Sequence, residues 1–204
     1  MTLWDLFFLF SVLLLLSLVI ALAVRILQRR WGAARRTVLI AGSYVAAYAA
    51  VLIVVALAMP RLYLAPGERR CFDDWCVAAI SCEPLKTIDG NRIWLAKIEV
   101  SSVAKRVRQR ARDAQAEMED TQGRRYPPSA APLCDEQGIA RSLSDELGPG
   151  ESFQVLLPFR LPPTAQPAGL VMHHGSFPGA IIIAEDSAVF HPPALARLDM
   201  ASGR

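Results

Sequence analysis

From Ser152 to Pro162 the chain reads SFQVLLPFRLP. Phe153, Val155, Leu157, Phe159 and Leu161 fall on one side of an extended chain, with Gln154, Pro158 and Arg160 on the other. That period of two belongs to a strand with one buried face; a helix would scatter the same residues around its axis. Pro158 withholds a ladder donor, which marks an edge strand or a bulge. The pattern recurs outward. In RIWLAKIEVSSV (92–103), Trp94, Ala96, Ile98 and Val100 alternate with Lys97 and Glu99. WCVAAISC (75–82) reads as an earlier strand. GLVMHH (169–174), AIIIAE (180–185) and SAVFH (187–191) read as later ones, with GSFPG turning the chain between the first two of these. Residues 61–192 are therefore expected to form one all-β sandwich, followed by a tail at 193–204.

Between the early and late strands lies a polar stretch, 101–152. Ala114–Glu119 suits a strand turning at Asp120–Gly123, although Ala, Arg, Gln and Glu would also support a helix over 104–119. The β pattern on both sides favours the strand.

Upstream the composition changes. Leu6–Val24 carries no charge for nineteen residues and Thr37–Met59 none for twenty-three. As helices both are long enough to cross a hydrocarbon layer of about 30 Å, so two transmembrane helices are expected over about 4–25 and 37–59. A cleaved signal would carry a basic region before its apolar core; here arginines follow the core instead, which favours retention. The connector 25–36 holds Arg25, Arg29, Arg30, Arg35 and Arg36 with no acidic residue, and short basic connectors stay in the cytoplasm. Both ends of the hairpin should then lie outside the cytoplasm, in a multi-pass protein of the cell (inner) membrane with the sandwich extracytoplasmic. Gly42, Ala46 and Ala50 form a small-residue stripe that permits close helix packing, against the first helix or across a homodimer.

The pI is 8.8, yet residues 61–204 hold seventeen Lys and Arg against eighteen Asp and Glu. The excess positive charge is a topology signal from the connector, and it gives no support to nucleic-acid binding.

Two segments carry a resemblance: EDTQGRRYPP, with Asp120, Gly123, Arg124 and Tyr126, and GPGESFQVLLPF, with Gly150, Glu151, Ser152 and Phe153. Following a helical anchor and GERRCFDDWCVA, they resemble a bacterial membrane-anchored envelope domain family of unknown function with an immunoglobulin-like β-sandwich. The resemblance implies a fold and a compartment; its motifs are turns and strand starts and imply no activity.

Cys71, Cys76, Cys82 and Cys134 are an even set, and in an oxidising compartment pairing is expected. On a regular strand Cys76 and Cys82 share a face with Ala78 and Ile80, too far apart to bond each other. Two of the three connectivities remain open; the pairing expected is Cys71–Cys76 across the FDDW turn, with Cys82–Cys134 pinning the polar stretch to the sheet. Asp73 and Asp74 beside the first pair disfavour a reactive thiolate. The rival reading is a metal-binding, cupredoxin-like or thiol redox site using Cys71, Cys76, His173 and His174. Two helices and a sandwich resemble the layout of the copper-bearing second subunit of respiratory oxidases, but there the ligands cluster late in the sandwich. Here only Met172, His173, His174 and His191 are late, and adjacent histidines on a strand point to opposite faces.

In KRVRQRAR, Arg106, Arg108, Arg110 and Arg112 would share one face of an extended chain. They would be neutralised by Glu117, Glu119 and Asp120 on a paired strand, or offered to anionic lipid or an acidic envelope partner. No nucleophile elbow, phosphate loop, metalloprotease motif or supported carboxylate pair is present. A non-catalytic binding or scaffolding module without cofactor is expected, with the arginine row and the 120–140 loop as contact surfaces.

Overall fold

A computed structural model describes residues 3–72, 74–111, 113–134, 138–174, 179–183 and 188–200. The chain divides into two compact units, 1–60 with 176–192, and 61–175 with 193–204.

The first unit is built on two apolar helices, α1 (Leu3–Leu27) and α2 (Trp31–Ala58). The connector is shorter than expected. Residues 31–36 (WGAARR) join α2, so Arg35 and Arg36 sit in its first turns. Ala and Arg are good helix formers, and extending a helix costs far less than nucleating one. Arg29, at φ 53, makes the reversal, and the Arg25 guanidinium reaches the Ala33 carbonyl at 3.4 Å. Across the pair, Ser11 Oγ and Tyr44 Oη lie 2.7 Å apart, and the rings of Phe7 and Tyr48 stack at 5.9 Å. This places the Tyr44–Tyr48 face of α2 toward α1. Gly42, two residues and so about 200° around the helix from Tyr44, is exposed together with Ala46 and Ala50. The small-residue stripe thus faces away from α1, and the expectation that it packs there is corrected.

The later residues of this unit also depart from the sequence reading. Gly179–Ile181 is a turn of 3-10 helix, and 182–183 and 188–191 form no strand; the turn at 175–178 and residues 184–187 lie outside the described residues. Ile183 and Ala188 are apolar because they pack on Leu52 of α2, a helical partner that the alternation of a strand does not anticipate.

The second unit is a sandwich. Its strands are β1 (Tyr63–Leu64), β2 (Arg70–Phe72), β3 (Trp75–Ile88), β4 (Asn91–Ser102), β5 (Gln115–Asp120), β6 (Arg125–Tyr126), β7 (Ser152–Leu161), β8 (Pro167–His173), β9 (Leu195–Arg197) and β10 (Asp199–Met200). One sheet runs β1-β9-β8-β5-β6; the other runs β10-β3-β4-β7, with β2 on β3. The alternation read from sequence supplies the core: Trp94, Ala96, Ile98 and Val100 of β4 and Val155, Leu157, Phe159 and Leu161 of β7 face Met118, Leu170 and Met172 of the other sheet. Pro158 is buried, contrary to its outward assignment. Residues 128–133 run along the free edge of β7, where the amides of Ser129 and Leu133 donate to the carbonyls of Pro158 and Leu156, each at 2.8 Å. Covering that edge also blocks unwanted strand pairing.

Asp120 organises the DTQGRRY turn. Its Oδ1 accepts from the amides of Gln122 and Arg124, and its Oδ2 from Arg124 Nε and Tyr126 Oη, while Gly123 takes φ 78. Burial would raise this carboxyl's pKa; the bonds from Arg124, Tyr126 and Gln122 outweigh it and hold the pKa below the usual range. In GPGESF, Gly150 takes φ 71, and Glu151 Oε2 accepts from the Gly148 amide at 2.6 Å. Both motifs are structural turns.

Candidate functional site

At one end of the sandwich, β2 and β3 form a tight hairpin with Cys71 opposite Cys76, and the two are disulfide-bonded. The second expected bridge does not form: Cys82 and Cys134 are free thiols, the first buried and the second exposed. Distance is the reason, and a β-bulge adds to it. The register slips between Ala79 and Ser81, so the alternation changes parity and Cys82 joins Trp75, Val77 and Ala79 on the core face. Cys82 opposes Ala96, which opposes Leu157, and the 133–134 segment lies beyond β7. Three strand spacings, about 14 Å, separate backbones that must approach within about 7 Å to be bridged. Burial, reinforced by Glu83, pushes the Cys82 thiol up to about 12.

Beside the disulfide the rings of Phe72, Trp75 and His174 gather, His174 lying 5.6 Å from Phe72 and 5.2 Å from Trp75. The Arg70 guanidinium covers Phe72 at 4.7 Å. Trp75 Nε1 is buried and without a hydrogen-bond partner among the described residues. His174 Nδ1 is 2.8 Å from Asp113, whereas His173 points the other way, 3.8 Å from Glu117. Burial lowers the His173 pKa, with Glu117 opposing. The two histidines are therefore divided between faces, as strand geometry demands. Among the described residues no three His, Cys, Asp or Glu side chains converge on a metal-sized position.

The arginine row is not an extended, paired strand. Residues 103–111 form an irregular loop, bent at Lys105–Arg106 and bridged at Gln109 to Leu147. Arg106, Arg108 and Arg110 are exposed; Arg112 lies outside the described residues. Arg108 meets Glu146 at 3.5 Å, and Arg110 Nε donates to the Ser144 carbonyl at 2.9 Å. The acidic residues expected to neutralise the row serve elsewhere: Glu119 binds Arg61 and Arg125, and Asp120 binds Arg124.

A feature the sequence reading missed is a cleft of about 340 Å³ beside β5, lined by Ala116, Leu143 and Leu157 and by Pro127, Pro128 and Pro132, with Glu117 among its polar residues. The run YPPSAAP was its signal: closely spaced prolines stiffen a segment that cannot complete a ladder. The cleft offers rigid apolar contact and a carboxylate.

The chain matches no protein-family profile and no curated protein sequence. Among solved structures it is similar to an uncharacterised β-sandwich protein of Clostridium difficile, with 12% identity over 57% of this chain and 88% of that one and a TM-score of 0.41. It is also similar to MPT63, a secreted protein of Mycobacterium tuberculosis, with 14% identity over 58% of this chain and 93% of that one and a TM-score of 0.42. A conserved hypothetical protein of Bacillus anthracis has 14% identity over 54% of this chain and 89% of that one, with a TM-score of 0.37.

Proposed function

We propose that the protein is a membrane-anchored, extracytoplasmic β-sandwich acting as a non-catalytic binding or scaffolding module of a bacterial envelope. The surface of the helices carries this reading. Among the described residues α1 buries only Ser11, and α2 only Ala34, Thr37, Leu52 and Ala56. Leu13, Leu16, Val19, Leu39 and Val54 are more than half exposed or close to it. The core helix of a soluble domain hides one face; two helices apolar all round need lipid as solvent. The five arginines around the reversal hold that end at the cytoplasmic face, which puts the sandwich and its disulfide in an oxidising space. There the loop carrying Arg106, Arg108 and Arg110 and the proline-walled cleft are the surfaces offered to a partner.

A dual reporter fused after Arg204, fluorescent in the cytosol and enzymatically active only outside it, tests the topology. Extracytoplasmic activity is expected; cytosolic fluorescence overturns the reading. Joint replacement of Arg106, Arg108 and Arg110 by glutamine should abolish partner crosslinking in native membranes while the melting temperature stays nearly constant. A large fall in melting temperature would assign the arginines a structural role.

A further inference from the structure

Within the helical unit, AIII (180–183) and AVF (188–190) are as apolar as core strands, yet they join no sheet. They lie against α2. Tyr48 Oη donates to the Ile181 carbonyl at 2.7 Å, Ile183 and Ala188 pack on Leu52, and His191 Nδ1 lies 3.2 Å from the Ala56 carbonyl. Their backbone bonds close on the segment itself: Ile182 to Gly179, Val189 to Ala180 and His191 to Ala188, at 3.1, 2.9 and 3.0 Å. Internal pairing of this kind is what irregular backbone requires where water is scarce.

The side chains turned outward are apolar. Ile181 is 38% exposed, Val189 42% and Phe190 64%, beside a stretch of α2 that itself exposes Val54 at 65%. Phe190 sits at φ 70, a conformation unfavourable for a bulky residue, and in water the outward ring would add a second penalty. Depth follows from the helices. Along α2, which ends at Ala58, the contacts run from Ala56 to Tyr48, about 3 to 15 Å below that end, and Tyr48 stacks on Phe7, near the outer end of α1. Trp4 is close to that end, at the level that aromatic anchors favour, and insertion of about 5–10 Å is typical of elements lying in the interface.

We infer that residues 179–183 and 188–191 are a third membrane-embedded element, a non-helical segment seated in the outer leaflet against α2, with Ile181, Val189 and Phe190 in contact with acyl chains. The inference rests on the proposal that α1 and α2 span a bilayer.

The test uses the full chain, with Cys134→Ser so that the buried Cys82 is the remaining free thiol, in phosphatidylcholine–phosphatidylglycerol nanodiscs. An environment-sensitive fluorophore is attached at Phe190→Cys, and separately at Val189→Cys, at Val19→Cys within α1, and at Lys86→Cys on the β3–β4 hairpin. The labels at 190 and 189 should emit to the blue of the Lys86 label. Lipids brominated near the headgroup end of the acyl chain should quench them several-fold more strongly than the Lys86 label. Water-like emission at both positions with the Val19 label still in lipid overturns the inference and leaves the spanning helices standing. Water-like emission at Val19 as well overturns both.

Discussion

Arg61, the third residue after α2, grips Glu119 of β5 through both guanidinium nitrogens. The carboxylate is 5% exposed and the arginine 18%, and Arg125 adds a longer contact at 3.3 Å. Removing one partner of such a pair leaves a buried charge poorly compensated, so Arg61→Met should destabilise the sandwich by about 3 kcal/mol. Arg61→Met with Glu119→Leu should recover much of that loss, because both charges are then gone. The difference between their urea midpoints measures the effect.

Acid should unfold the sandwich by the same chemistry. The bonds from Arg61 hold the Glu119 pKa below its usual range against the opposing effect of burial, and Asp120 is lowered as well. Carboxylates with lowered folded pKa values stabilise above their unfolded values, near pH 4, and that contribution disappears as pH falls through the folded values. His173, lowered chiefly by burial, takes up a proton less readily when folded, so stability begins a smaller decline as pH falls below about 6.5. A melting series should be flat from about pH 7 to 8, decline gently toward pH 5, and drop steeply below about pH 4.

Thiol titration should count one fast-reacting cysteine in the native chain and two in denaturant without reductant. Cys134 is exposed, Cys82 is buried with its thiol pushed up to about 12, and Cys71 and Cys76 are bonded. Opening the short loop by Cys71→Ala should cost about 2 kcal/mol on the loop-entropy scale, read from urea unfolding of the oxidised protein. Finding no free thiol in the denatured chain would restore the Cys82–Cys134 bridge.

Two glycines should behave oppositely. At Gly169 in β8 an added methyl group would meet the Ala196 carbonyl at 2.5 Å and Leu195 at 2.9 Å. Gly169→Ala should therefore push β8 from β9 and cost about 1–3 kcal/mol in thermal unfolding. A methyl group at Gly42, inside α2, meets nothing within 4 Å, so Gly42→Ala should stabilise the helical hairpin by up to about 1 kcal/mol.

The β class was readable from residues alone because the alternation in SFQVLLPFRLP and RIWLAKIEVSSV needs only one buried face to explain it, and β4 and β7 bury the residues it selects. The two long apolar helices were readable for an equally local reason, their length and lack of charge. The aspartate-centred turn was legible too, since its bonds join residues within six positions of one another. What depends on register was hidden. One bulge between Ala79 and Ser81 carried Cys82 into the core, and the strand order set Cys134 three strands away. The arginine row has no strand to pair with, since β6 and β8 already flank β5 and Glu119 and Asp120 are held by Arg61, Arg124 and Arg125. AIIIAE and SAVFH read as strands because apolarity alone does not say which surface will cover it; tertiary structure put α2 there instead. Periodicity reports that a side chain will be buried, and only the folded chain decides against what, since burial is a property of the neighbours that arrive from elsewhere in the sequence.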